Sequence, residues 1–253
     1  MIRGGAMDGI LNAYKTIADN LVNKNIGHEN LKVNIIGEKP MEVNQEINFN
    51  LIKEILANLE IKIKCRFLAN TSVNGIKNLL RGSLNLLVYD DRHGLSVKKI
   101  LEKRFATPFA HYLYPVGFDQ TAKWLRDIAR FYNKTVQADL IIEEKRELYL
   151  KQINRLRPSL EGIKIMIITH RHNIDWLIQP VFDLNMDIVK VCTYPLIFKN
   201  IFQSEFSDKL NIELNDDIKE RKHDIEKLKP DLVIIWLFQA MLLLIYLLLP
   251  VMM

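Results

Sequence analysis

The sequence predicts an α/β fold with largely parallel sheets, and three observations lead to this prediction. Residues 163–168 form a short, nearly continuous apolar run, which is typical of a strand covered on both faces. Apolar residues then recur at helical spacing over 174–184, and a second apolar run follows at 188–191. Helical and strand patterns also alternate through the first half of the chain. These patterns indicate βαβ units, in which ligands bind beyond the carboxyl ends of the strands.

The elements of the first half follow from periodicity and from turn residues. Gly37 permits a tight turn after the first strand, and Pro40 prevents that strand from continuing. The predicted order is helix 8–22, strand 31–37, helix 49–59, strand 61–67, helix 73–80, strand 83–89, helix 95–105, a short strand after Pro108, and helix 118–132.

The second half begins with a charge-rich segment that is predicted to form one long helix, stopped by Pro158. The βαβ pattern follows this helix. The remaining predicted segments are a polar, poorly periodic stretch at 194–217, a helix at 218–228 and a strand at 231–236.

Length and hydrophobic content together indicate two cores. The chain has 253 residues, of which 49% are hydrophobic, and this is enough for two ordinary domains. We expect a first α/β domain over 1–134, a connecting helix over 135–158, and a second α/β domain over 159–253.

Charge and cysteine content argue against several classes of protein. The net charge of +5 is spread along the chain and does not favour nucleic-acid binding. Cys65 and Cys192 are too few and too far apart for a disulfide framework or a CxxC metal site, and their apolar surroundings predict inert, buried thiols. No signal peptide and no nucleotide-binding glycine motif is visible, so we expect a cytoplasmic protein that does not itself bind ATP.

The C-terminal residues 232–253 form an apolar run that only Gln239 and Pro250 interrupt. A run of this length could cross a bilayer. The basic residues just before it would mark the cytoplasmic side: Arg221, Lys222, Lys227 and Lys229. The alternative is a strand followed by a core-facing helix that packs on the sheet or on a partner subunit. Both alternatives stay open at the level of the sequence.

Seven segments in register resemble the nitrogenase component 1 family. This family includes the molybdenum-iron protein subunits, their cofactor-assembly relatives and the dark-operative protochlorophyllide reductase. The most specific segment is PVGFDQTAKWLRDIA at 115–129. The other six are VNIIGE at 33–38, SLNLL at 83–87, FATPF at 105–109, RPSLEGIKIMI at 157–167, DLNMDIVKV at 183–191 and LKPDLVI at 228–234.

The resemblance implies a set of Rossmann-like domains, incomplete relative to the family at both ends. In paired subunits such domains hold an iron-sulfur cluster or a tetrapyrrole. The resemblance also implies a homologous partner subunit, in a hetero-oligomer or a homodimer, and a separate ATP-dependent iron-protein reductase that delivers electrons. On this basis we expect an oxidoreductase-family subunit of a multi-subunit reductase, as in nitrogen fixation, or of a cofactor-assembly complex. The alternative is a scaffold or partner-binding module, with or without a membrane anchor in its C-terminal run.

The departures from the family concern its ligands. Cofactor-bearing members place a cysteine after the LNL strand, because iron clusters require thiolate ligands. Here Tyr89 takes that place and is followed by Asp90 and Asp91. The family's histidine on the early helix falls near residues 14–16, where this chain has none. The resemblance therefore predicts a subunit without its own metal cluster, and it leaves open whether the chain is an enzyme.

His170, Arg171 and His172 are the first candidate cofactor-binding residues. They follow the first strand of the second domain, where the resemblance implies that family loops approach the cofactor. Two histidines at this spacing could ligate a metal or face an anionic group, and Arg171 could donate to carboxylates. The structural alternative is that this loop only leads into a helix capped by Asn173.

Tyr89, Asp90 and Asp91 are the second candidate site, with Arg92 and His93 beside them. Two adjacent carboxylates at a strand end could hold a hard cation or perform acid–base chemistry. The structural alternative is a solvated loop that begins a helix, since an acidic residue is favoured at a helix N-terminus.

Overall fold

A computed structural model describes residues 5–39, 44–170, 174–194, 204–210, 212–214 and 218–235. The described residues divide into two compact units. The first contains the described residues up to Pro115 together with Gln120–Ile142. The second contains Val116–Asp119 together with the described residues from Glu143 onwards.

The first unit is built around a three-stranded parallel sheet. Its described elements are α1 (Ala6–Leu21), β1 (Glu29–Ile36), α2 (Gln45–Ala57), β2 (Lys62–Arg66), α3 (Val73–Lys77), a 3-10 helix (Leu79–Arg81), β3 (Gly82–Leu87), α4 (Arg92–Phe105), most of α5 (Phe118–Phe131) and the start of α6 (Thr135–Leu160).

The central strand β1 pairs with β2 on one side and β3 on the other. Val33 lies opposite Ile63 and Leu84, so apolar residues align across the sheet. This strand is buried because helices cover a parallel sheet on both faces. Beneath α1 and α4, apolar side chains that include Ile36, Val97 and Leu101 form the core of the unit.

The second unit contains the remainder of α6 and a four-stranded parallel sheet in the order β6-β5-β4-β7. Its elements are β4 (Lys164–His170), α7 (Asp175–Asp183), β5 (Asp187–Tyr194), β6 (Ile212–Leu214), α8 (Ile218–Leu228) and β7 (Leu232–Ile235). The strands β4 and β5 are parallel neighbours on either side of α7 in sequence, which confirms the predicted βαβ unit. The predicted α/β fold with parallel sheets is likewise confirmed in the described residues.

Several predicted boundaries were wrong for identifiable reasons. The segment after Pro108 forms a single parallel bridge between Phe109 and Asn85 in place of a strand. Pro158 does not stop α6, which continues to Leu160, because a proline near the end of a helix removes only one backbone hydrogen bond. The polar stretch at 194–217 contains β6, whose three residues are too few to show a period. The predicted cap Asn173 and the run after Ile235 lie outside the described residues.

Candidate functional site

The carboxyl ends of β1, β2 and β3 carry most of the buried charge in the first unit. Gly37 and Glu38 follow β1, Arg66 ends β2, and Tyr89 and Asp91 follow β3. Glu38 and Arg66 are only 5% and 7% exposed, although both belong to residue types that are rarely buried. Buried charged side chains therefore lie at this edge of the sheet, which is the edge where ligands bind in parallel α/β folds.

Arg66 forms a bidentate ion pair with Glu38. Its Nε donates to Glu38 Oε2 at 2.9 Å and its Nη2 donates to Glu38 Oε1 at 2.9 Å. The remaining arm, Nη1, donates to Glu46 Oε2 at 2.9 Å, and the guanidinium lies 4.0 Å from the centre of the Phe49 ring. Burial alone lowers the pKa of Arg66, but the two carboxylates outweigh it and raise that pKa above its usual value. Arg66 is thus a permanent cation that the fold itself neutralises.

Asp91 has a double structural role at the start of α4. Its Oδ1 accepts a hydrogen bond from the Gly94 amide at 2.8 Å, which caps the helix, and its Oδ2 lies 2.6 Å from Lys39 Nζ. Burial raises the pKa of Asp91, but the Gly94 hydrogen bond and the Lys39 ammonium outweigh burial and lower it below the ordinary value. The prediction that an acid begins this helix is therefore confirmed.

Tyr89 lies beneath the same ammonium group. Lys39 Nζ is 4.4 Å from the centre of the Tyr89 ring, a distance at which a cation interacts favourably with an aromatic face. Asp90 is half-buried in the same loop. Of the three residues predicted here, Tyr89 and Asp91 thus both interact with the ammonium group of Lys39.

Two buried polar atoms near this edge have no hydrogen-bond partner among the described residues. They are His93 Nδ1 and the Tyr114 hydroxyl oxygen. Burial lowers the pKa of His93, and it raises the pKa of Tyr114, so both groups are held neutral near pH 7. The centres of the His93 and Tyr14 rings are 5.3 Å apart, and the two rings pack in a T-shaped arrangement.

Sequence reasoning missed Glu38, Arg66 and Tyr114 as members of this edge. A charged residue at the end of the apolar strand pattern IKIKCRF was a signal for Arg66. Its partner Glu38 is 28 positions away in the sequence, and only the parallel pairing of β1 with β2 brings the two together.

The candidate loop in the second unit lies mostly outside the described residues. The backbone of His170 ends β4, opposite Tyr194 of β5. Arg171 and His172 are outside the described residues, and no contact of the His170 side chain is described. The sequence predicts His170 on the loop after this strand, whereas in the structure it is the last residue of the strand itself, at its carboxyl end.

Cys192, Glu213 and Asp224 bring three potential metal ligands within 4.8 Å of one another in the second unit. Two cations lie among these ligands. Lys190 Nζ is 2.6 Å from both carboxylates, and Arg221 Nη1 lies 2.8 Å from Cys192 Sγ and 3.3 Å from Asp224 Oδ2. A metal ion here would have to displace Lys190, so the arrangement is an ion-pair network with its charges already balanced.

The residues present do not fit an iron-sulfur cluster. Such clusters are usually held by four thiolates, and this chain has two cysteines, one in each unit. Cys65 is buried next to Thr71 Oγ1 at 3.9 Å, and burial raises the pKa of its thiol to about 11. Burial also raises the pKa of Cys192. At the place where the resemblance puts a ligand cysteine, this chain has Tyr89.

Within the described part of the chain, no helix combines the length and the apolar character needed to cross a membrane.

Comparison with known proteins gives a consistent result. A family model described as nitrogenase component 1 type oxidoreductase matches residues 2–237. The chain is similar to one of the subunits of the light-independent protochlorophyllide reductase of Trichormus variabilis, at 32% identity over 132 residues, which cover 51% of this chain and 25% of that protein. It is also similar to the nitrogenase molybdenum-iron protein alpha chain of Rhizobium sp. cowpea, at 24% identity over 185 residues, which cover 71% of this chain and 36% of that protein.

The fold is also found among solved structures. The structure of nitrogenase Cp1 at pH 6.5 resembles this chain with a TM-score of 0.64 and 13% identity, covering 90% of this chain and 54% of that one. At this identity the likeness concerns the fold. The matched regions span only 25% to 36% of the length of the two curated relatives.

Proposed function

The chain belongs to the nitrogenase component 1 type oxidoreductase family, and from this premise we propose that it is a member of a multi-subunit complex and holds no metal cluster of its own. The complex is a reductase or a cofactor-assembly complex. Its other members are a homologous subunit, which supplies the cluster or tetrapyrrole, and an ATP-dependent iron-protein reductase, which supplies electrons. We place this complex in the cytoplasm.

The observation that carries the proposal is the state of the first sheet's carboxyl edge. In a cofactor-bearing relative this edge would present a thiolate. In this chain Lys39 lies over Tyr89 and pairs with Asp91, while Arg66 pairs with Glu38 and Glu46. The charged side chains at this edge are already paired with one another. A cluster placed here would find no thiolate ligand and would disrupt the ion pairs of Lys39 and of Arg66.

The second unit supplies the proposed contact with a partner's cofactor. His170 is the last residue of β4, and Arg171 and His172 come next in the sequence. Loops that follow strand ends carry binding residues in parallel sheets. Imidazole and guanidinium groups suit an anionic cofactor edge that another subunit presents. On this proposal the three residues contact a cofactor that the partner holds.

Anaerobic purification of the complex from its natural host, through a tag on this chain, tests the proposal. We expect a hetero-oligomer whose iron stays with the partner when the subunits are separated. The double variant His170→Ala/His172→Ala should still assemble and should change the visible spectrum of the complex. A chain that purifies as a monomer under these conditions contradicts the subunit role.

The apolar run at 232–253 supports a second candidate function, a scaffold anchored to a membrane. Against it, Leu232–Ile235 pair with β4 in parallel register, from Leu232 opposite Ile165 to Ile235 opposite Ile168. A strand within a sheet cannot also be the first turn of a membrane helix. Cell fractionation separates the two functions: recovery in an alkali-resistant membrane pellet, and release on deletion of 236–253, would favour the anchored scaffold.

A further inference from the structure

A concave groove between α1 and α4 in the first unit is lined mainly by basic residues. Its volume is about 540 Å³. The lining residues that matter here are Lys15 and Asp19 from α1, and Lys99, Ile100, Lys103 and Arg104 from α4. It lies on the helices that cover the sheet, so it is separate from the strand-end edge described above.

The only acid of the groove is already neutralised. Arg104 pairs with Asp19 through Nε, and its Nη2 donates to Asp19 Oδ2 at 3.0 Å. Consistent with this pairing, the Arg104 hydrogen bond lowers the pKa of Asp19. Lys15, Lys99 and Lys103 are exposed, and none of them forms an ion pair with a described residue. Because Arg104 and Asp19 neutralise each other, Lys15, Lys99 and Lys103 leave the groove with a net positive charge, in a chain whose net charge is +5.

The arrangement of these charges suits an extended acidic segment better than a single small anion. Lys99 and Lys103 are one helical turn apart, about 6 Å, and Lys15 approaches from the other helix. The helix interior offers no free backbone N–H to cradle a phosphate, and the Ser96 hydroxyl donates to the Arg92 carbonyl at 2.6 Å. Each lysine ammonium is a single point charge on a flexible stem, so three lysines spread over two helices can pair with three separate carboxylates.

The floor of the groove adds an apolar contact. Ile100 is half-buried between the lysines, where a partner's apolar side chain could cover it. A helix with carboxylates one turn apart on either side of a leucine matches this pattern in both spacing and charge. Exposed lysines on one helix are usually only solvated, but here cations from two helices converge on one concavity.

We propose that the α1–α4 groove is a docking site for an acidic helical segment of another protein, with carboxylates that pair with Lys15, Lys99 and Lys103 around Ile100. This inference does not depend on the proposed subunit role, because its test uses the isolated chain.

The probe is a short acetylated and amidated helical peptide of Glu, Ala and Leu, with glutamates one turn apart. Its affinity for the full chain is measured by fluorescence anisotropy at low and at moderate salt. We expect the variant Lys15→Gln/Lys99→Gln/Lys103→Gln to bind about tenfold more weakly, the combined effect of three exposed ion pairs. The matched control Lys53→Gln/Lys62→Gln/Lys151→Gln has the same net charge and should change binding by less than about twofold.

Zero-length carbodiimide cross-linking provides a readout that does not depend on affinity. We expect mass spectrometry to locate the peptide on Lys15, Lys99 or Lys103. Equal weakening in both variants, or displacement of the peptide by an equal concentration of inorganic phosphate, would overturn the proposal as nonspecific or small-anion binding.

Discussion

At the scale of single residues, Arg66 neutralises the two carboxylates of Glu38 and Glu46 at the carboxyl end of the first sheet. Its guanidinium is planar and has donors in a fixed geometry, so one side chain can bind Glu38 bidentately and still reach Glu46. A buried ion pair contributes little net stability, because both charges must leave water. Removing one partner is far more costly, since the other charge is then buried alone.

Replacing Arg66 with Met should therefore lower the free energy of unfolding by about 3 to 5 kcal/mol. Glu46→Gln should cost less than about 1 kcal/mol, because the Glu46 side chain is 54% exposed. Urea denaturation measures both effects. The double variant Glu38→Leu/Arg66→Met removes both buried charges and should recover most of the loss. Equal losses for Arg66→Met and Glu46→Gln would contradict this account.

Asp91 makes the start of α4 sensitive to pH. Its pKa is lowered in the folded chain, so its ionised form stabilises the fold above the unfolded pKa of about 3.9, and this contribution is lost as the pH falls through the folded pKa. Asp91→Asn keeps a good helix cap but removes the charge. We expect the wild type to lose more stability than Asp91→Asn between about pH 5 and pH 2. Parallel curves of unfolding free energy against pH would show that the charge has no such role.

At the scale of elements, two glycines fit α4 against the strand ends. Gly37 has a φ of 84°, which favours glycine, and a Cβ there would lie 3.4 Å from the Gly94 Cα. A Cβ on Gly94 would overlap the carbonyl oxygen of Tyr89. The close approach of the helix to the β3–α4 loop thus depends on the absence of a side chain at Gly94.

Gly94→Ala should destabilise the chain by about 2 kcal/mol or more, because the backbone of the loop must move to admit the methyl group. Gly9→Ala is the matched control. Gly9 lies inside α1, where a Cβ would meet nothing within 4 Å, so this substitution should raise stability by about 1 kcal/mol. Thermal unfolding of the two variants tests the contrast, which fails if both substitutions have the same sign.

The elements were largely predictable from the sequence, and the site was predictable only in part. Apolar runs marked β1 and β4 because buried parallel strands need no polar face. The acid that begins α4 followed from helix electrostatics, which are local. The ion pair of Arg66 with Glu38 depends on strand pairing between distant segments, and no local pattern encodes that pairing. The short strand β6 is defined by its pairing with β5, and a segment of three residues carries no local pattern that predicts this pairing.

At the scale of the whole molecule, the chain combines a family fold with a ligand set that does not suit the family's metal chemistry. Its described strands form two parallel sheets, and its fold resembles that of the nitrogenase structure. Its two cysteines are buried in different units, and tyrosine replaces the expected ligand cysteine. Family membership is compatible with the proposal that this chain holds no cluster of its own if the cofactor chemistry belongs to a partner subunit.

Iron and acid-labile sulfide analysis of the isolated chain, purified anaerobically and then incubated with ferrous iron and sulfide, shows whether the chain can hold a cluster by itself. We expect iron and sulfide far below one cluster per chain after desalting, and no visible charge-transfer absorption, because two buried thiols with raised pKa cannot supply four thiolates. Stoichiometric iron and sulfide in the isolated monomer, together with that absorption, would contradict it.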